Sequence, residues 1–234
     1  MTEIPSSAGD SLEHSDRPMT QPIDVQLTVP SYSQMDERWG FEPGTERSMC
    51  GIVCVKAVAD YYAERVGGAA PAPTELADEV RRMGGWGEVG ISHAAEVNLL
   101  KAQGLLAWRR NWDAPDSDPQ WLVDHEGYDP AQVAAVRLQQ AAEDAVTTKP
   151  ERELLAITEA LTAQNPVIAS VRAGYGGNQA SHQVVIIGRQ RDVAGDSLLV
   201  MDPERATGTN VLKDRTDHFL AYFNNRAIFV APLT

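Results

Sequence analysis

The chain has 234 residues, a formal net charge of -13 and a pI near 4.7, room for one domain of ordinary size or two small ones. So acidic a balance excludes the Lys/Arg stripes that nucleic acid requires and disfavours an anionic membrane surface. Two cysteines make no disulfide framework. Without a signal-peptide pattern or an apolar run long enough to cross a membrane, the sequence predicts a cytoplasmic chain.

Residues 1–24 carry Ser, Pro, Gly and acids against Arg17 alone, with no apolar period, which predicts a disordered acidic tail. Ile23, Val25, Leu27 and Val29 alternate up to Pro30, the pattern of a short edge strand. A loop rich in Gly and Pro follows, holding Gln34 and Trp39. Ser48 then stands where an N-cap would, ahead of Ile52, Val55, Val58, Ala59 and Tyr62 at helical spacing, with a stop at Gly67-Gly68. Cys50 falls in the first turn of that helix. Cys54, one turn deeper among apolar residues, reads as a reduced, buried thiol.

Further helices are expected over Thr74–Met83, with Thr74 as cap, and over Ser92–Gln103, with Ser92 as cap and Gly104 as stop. The Gly84–Gly90 loop between them matches no phosphate-binding pattern and suits close packing or a substrate rim. Trp108 to Tyr128 mixes acids with Trp112 and Trp121. So long an irregular stretch predicts a lid or partner surface, the alternative being packing onto its own domain. Asp129–Val146 and Pro150–Gln164 read as helices. Pro166–Arg172, His182–Arg189, Ser197–Asp202 and Arg226–Pro232 read as strands. Helices first and strands later is an α+β order.

The chemistry-bearing residues are spread along this order. A thiol nucleophile needs thiolate character, and a helix N-terminus favours it through unpaired N–H groups and the macrodipole. Cys50 has that position. His182 starts an apolar strand and Asp202 ends the next one. An antiparallel hairpin turning between Arg191 and Asp196 would set them side by side, as an imidazole and its orienting carboxylate must be. Gln34 is a candidate oxyanion donor together with the Cys50 N–H. His93, His125 and His218 read as structural. No ligand spacing on a second element supports a zinc set of Cys50, Cys54 and His182.

The string Val29-Pro30-Ser31-Tyr32-Ser33-Gln34, then Cys50-Gly51, Pro166-Val167-Ile168-Ala169, His182 with Val184-Val185-Ile186-Ile187-Gly188, and Asp202-Pro203 resembles the stand-alone bacteriocin-processing cysteine peptidases, family thirty-nine of the papain-like clan. The resemblance covers about residues 25–232 and departs from the family pattern at Ile52-Val53-Cys54, where Pro-Ala is common, and at Ser181, where Gly is common. It implies a papain-like α+β fold over 25–234, a helical lobe packed on an antiparallel sheet, with an inserted segment near 107–150. It implies Cys50 as nucleophile, His182 as base, Asp202 as orienter and Gln34 as oxyanion residue, no cofactor, and a peptide or protein substrate cut through a thioester. Transporter-fused members cut leader peptides after a double glycine; without a membrane span, that substrate does not carry over. Two alternatives stay open on the same residues: a transglutaminase-like acyl transfer to an amine, and a silent peptide- or partner-binding module.

Overall fold

The computed structural model describes residues 24–42, 45, 48–87, 90–113, 118–144 and 146–233. Apart from Asp24, the tail expected over 1–24 lies outside them.

Strand β1 is only Val25–Gln26. The helical part comprises α1 (Cys50–Arg65), α2 (Pro73–Arg82), a two-residue ladder of β2 (Trp86–Gly87) on β3 (Gly90–Ile91), and α3 (His93–Ala102). Then come β4 (Leu105–Asn111), α4 (Pro119–Glu126), α5 (Pro130–Glu143) and α6 (Lys149–Thr162). The remainder is β5 (Val167–Val171), β6 (His182–Asp192), β7 (Gly195–Met201), β8 (Val211–Arg215), α7 (Thr216–Tyr222) and β9 (Phe223–Pro232). Among the described residues the long strands make an antiparallel sheet in the order β4-β9-β5-β6-β7-β8, with β1 also on β6.

Helix α1 is the centre of the molecule. It is buried from Gly51 to Tyr62 and packs on β6, as an all-round apolar sequence demands. The polar side chains it takes inside are matched: Lys56 Nζ lies 2.6 Å from Asp60, which also accepts from Tyr32 Oη at 2.7 Å. Ser48 does not cap this helix. Met49 holds the cap position with no side-chain hydrogen bond, and the Ser48 N–H is turned back to Thr45 O. The Met49 side chain is buried in the core, so packing decides this residue and the first N–H groups of α1 are left open.

Helix α2 begins one residue before Thr74, with Ala72 and not Thr74 at the cap. Pro73 takes the first helical position, where its missing N–H costs nothing, and the Ala72 N–H donates to Glu75 Oε2 at 2.8 Å. Ser92 does cap α3, accepting from the Ala95 N–H.

The stretch expected to be an irregular lid is regular at both ends. It supplies edge strand β4 and helix α4, residues 114–117 between them lying outside the described set. One of its acids is a cap: Asp118 accepts from the first-turn Gln120 N–H of α4 and is followed by Pro at the first helical position, as Asp129 does for α5, the helix expected from that residue on. Alternate residues of β4 face opposite ways. Leu106, Trp108 and Arg110 meet α5 and α6 on one face, while Arg109 looks toward the start of α3 on the other. Trp112 packs against Phe223 and Phe229 and donates to Glu143 Oε2 at 3.0 Å; Trp121 stacks on His125. Both tryptophans serve packing, not a lid. Strand β8 and helix α7, which connect β7 to β9, have no sequence counterpart above.

Candidate active site

Strands β6 and β7 are joined by a tight turn with Asp192 opposite Gly195, and a bulge at Ile187 shifts their register. At the other end of the hairpin Val185 faces Met201. His182 and Asp202 therefore emerge together at one end of the sheet. The His182 Nε2 lies 2.7 Å from Asp202 Oδ1. That contact occupies one ring nitrogen and leaves Nδ1 as the nitrogen available to Cys50, which lines the same cleft. Cys50 itself is the first residue of α1 and is partly exposed, the condition for a thiol that reacts at a helix N-terminus.

The electrostatics follow from these contacts. Burial pulls the His182 pKa down, but the hydrogen bond to Asp202 and the bond and charge of Cys50 outweigh it, and the group is raised to about 9. Asp202, 1% exposed, shows the converse. Burial pushes it up, yet His182, the Glu204 N–H at 3.0 Å and Arg205 hold it below the ordinary carboxylate range. An imidazolium clamped to a carboxylate is the state that stabilises a neighbouring thiolate. Cys54 is its opposite. Full burial pushes its thiol well above the ordinary value, and it is inert at neutral pH.

Gln34 sits behind the pair. Its backbone N–H donates to Pro203 O at 2.7 Å, and Asn210 Nδ2 donates to Tyr32 O, so the loop carrying Gln34 is stitched to the turn that carries Asp202. The Gln34 side chain is buried, and its Oε1 has no hydrogen-bond partner among the described residues.

Residues 26–227 match the model of the Peptidase_C39 like family. The chain belongs to that family. Its role is accordingly peptidase-like, carried on an α+β architecture of helices packed against an antiparallel sheet. Solved structures similar to it include the peptidase domain of Streptococcus ComA, a bi-functional ABC transporter of a quorum-sensing pathway, at 17% identity over 88% of this chain and 99% of that one, TM-score 0.45. A double glycine motif protease from an AMS/PCAT transporter, solved with the leader peptide, is 16% identical over 92% and 99%, TM-score 0.45. Procathepsin L 3 of the Tenebrio molitor larval midgut is 11% identical over 93% and 71%, TM-score 0.49. No curated protein matches.

Several residues that shape this C39-like cleft were not visible in sequence. Gly51 is required by close approach: a Cβ there would lie 2.3 Å from Glu96 Oε1 and 2.5 Å from Gln183 Oε1. Glu96 is wholly buried, which pushes its carboxyl well above the usual range against the opposing effect of Gln183. His93, read from sequence as structural, lines the cleft at the start of α3 with its Nε2 2.8 Å from Ser170 Oγ. Burial, then Arg109 and Arg226, bring it down to about 4, so it is uncharged. The Ser92 cap signal fixed His93 at the helix start, but only the packing of α3 against β5 and β9 turns that start into the cleft. Of the other histidines, His125 stacks on Trp121 and His218 pairs with Asp214 at 2.8 Å.

Proposed function

We propose that this chain is a cysteine peptidase-like hydrolase that cuts a peptide or amide bond with Cys50, His182 and Asp202, and that residues 25–234 form its peptidase domain, with an inserted segment near 107–150 that begins in edge strand β4 and continues in α4 and α5. The observation that carries the reading is the 2.7 Å contact between His182 Nε2 and Asp202 Oδ1, in the same cleft as Cys50 at the uncapped start of α1.

The Cys50 thiolate attacks the carbonyl carbon and the carbonyl oxygen becomes an oxyanion. The open N–H groups of the first turn of α1, with Gln34 as the further donor, are suited to hold that charge. His182 Nδ1 gives its proton to the departing amine as the C–N bond breaks, leaving a thioester on Cys50. Neutral His182 then takes a proton from water, the hydroxide attacks the thioester, and the acid leaves with the thiolate restored. Asp202 keeps Nε2 as the donor to itself throughout, which fixes the ring's orientation and favours its charged form. No step calls for a cofactor.

The test is alkylation of Cys50 by iodoacetamide against pH in the wild type and in His182→Ala, with the modified cysteine located by mass spectrometry. Fast labelling that persists below pH 8 and is lost in His182→Ala is expected. The same slow profile in both proteins would overturn the catalytic pair and leave a binding module.

A further inference from the structure

The wall of the cleft departs from the rest of the molecule in charge. The chain carries 33 Asp and Glu against 20 Lys and Arg, yet among the described residues no carboxylate lines the roughly 410 Å³ space beside Cys50 and His182, while Arg109 and Arg226 both do. The sheet register explains how they meet. Arg226 lies opposite Asn111 on β4, and Arg109 is two residues before Asn111, so the two guanidinium groups sit on the same face as diagonal neighbours. They differ in what surrounds them. Arg109 is ion-paired with Glu126 and lies over the Trp121 ring. Arg226 is exposed, and no Asp or Glu among the described residues lies within ion-pair distance of it. Around it stand neutral donors, Ser170 and Asn224, and the first turn of α3.

We infer that this cleft is a carboxylate subsite: Arg226, with Arg109 behind it, receives an acidic side chain or a free terminal carboxylate of the peptide whose bond Cys50 attacks. An exposed guanidinium presenting parallel donors in a water-restricted cleft suits a carboxylate in bidentate fashion. The depressed pKa of His93 agrees, since both arginines act on it and no acid offsets them. The inference rests on the proposed peptidase reading for its substrate, but not for its test.

Cys50 can be probed with two reagents of the same size and mechanism, iodoacetate and iodoacetamide, of which only the first carries a carboxylate. In wild type and in Arg226→Gln the rates at Cys50 are compared at fixed pH and low salt. Arg226→Gln should slow iodoacetate about fivefold to tenfold and leave iodoacetamide within about a factor of two. An iodoacetate-to-iodoacetamide ratio equal in the two proteins would overturn the subsite, whether or not any peptide is cut. Failure of the peptidase reading would register separately, as slow iodoacetamide labelling without dependence on His182. A peptide library in free-acid and C-terminally amidated forms then distinguishes the sources. Cleavage next to Asp or Glu in both forms marks a side chain, and cleavage lost on amidation marks a terminal carboxylate. Cutting indifferent to both would overturn the subsite.

Discussion

His182 holds the chemistry together through two bonds of different kinds, and each can be removed on its own. Replacing Asp202 by Asn keeps the size of the side chain and removes the charge that raises His182 to about 9. The alkaline limb of kcat/KM, which reports loss of the imidazolium, should therefore fall near pH 9 in the wild type and move toward neutrality in Asp202→Asn, as measured with any cleaved peptide. The same group has a stability consequence. A folded-state pKa above the unfolded one contributes stability that is complete below about pH 6.5 and is lost as pH rises through about 9. Asp202, held low in the fold, contributes in the other sense, its share disappearing as pH falls below the carboxylate range. Urea midpoints across pH for wild type and His182→Ala should diverge most between about pH 5 and 6.5, narrow through neutral pH and converge above pH 9.

Gly51 is also a matter of one residue, but its reason lies in an element. Helix α1 runs so close to Glu96 and Gln183 that one added carbon would come within 2.5 Å of both. Gly51→Ala should displace the first turn of α1, slowing Cys50 alkylation at least about tenfold, a 1.4 kcal/mol effect, and lowering stability by about 1–3 kcal/mol. A second element-level lock joins β4 to α5. Arg110 and Glu143 are buried and 2.6 Å apart, and Trp112 shares the same carboxylate. Glu143→Ala strands a buried guanidinium and an indole N–H, which should cost about 3–5 kcal/mol in denaturant unfolding with the alkylation chemistry of Cys50 retained. These elements also show what a sequence can reveal. The strands β5, β6 and β7 announce themselves because both faces are buried along continuous apolar runs such as Val184–Ile187 and Leu198–Met201. The hairpin that joins His182 to Asp202 follows from those strands and the turn between them. The segment from Trp108 to Tyr128 misleads because an acid-proline pair that begins a helix looks, one residue at a time, like loop. The roles of Glu96, His93 and Arg226 are invisible before folding: nothing local sets a buried helix acid, a helix-start histidine and a strand arginine around one thiol.

At the scale of the whole molecule, a chain of net charge -13 surrounds a cleft lined by arginine, so its far field and its near field have opposite signs. Acidic peptides are repelled at a distance and held at contact. Raising ionic strength should lift the rate of their approach while weakening their hold on Arg226, so kcat/KM against salt for an acidic peptide should pass through a maximum where a neutral peptide gives a nearly flat line. Among the described residues no helix is long and apolar enough to cross a membrane.

The missing cap on α1 bears on how a ligand could be found. Because Met49 gives its side chain to the core and offers the helix no side-chain acceptor, the start of α1 presents hydrogen-bonding capacity that an occupant of the cleft can use. Any compound that supplies the acceptor stabilises the folded state by mass action, by about 2.7 kcal/mol at a hundredfold excess over its Kd. The melting temperature then serves as a screening signal: peptides or aldehydes that raise Tm in the wild type, and raise it less in Arg226→Gln when they bear a carboxylate, would report the preferred chemistry before any turnover is seen.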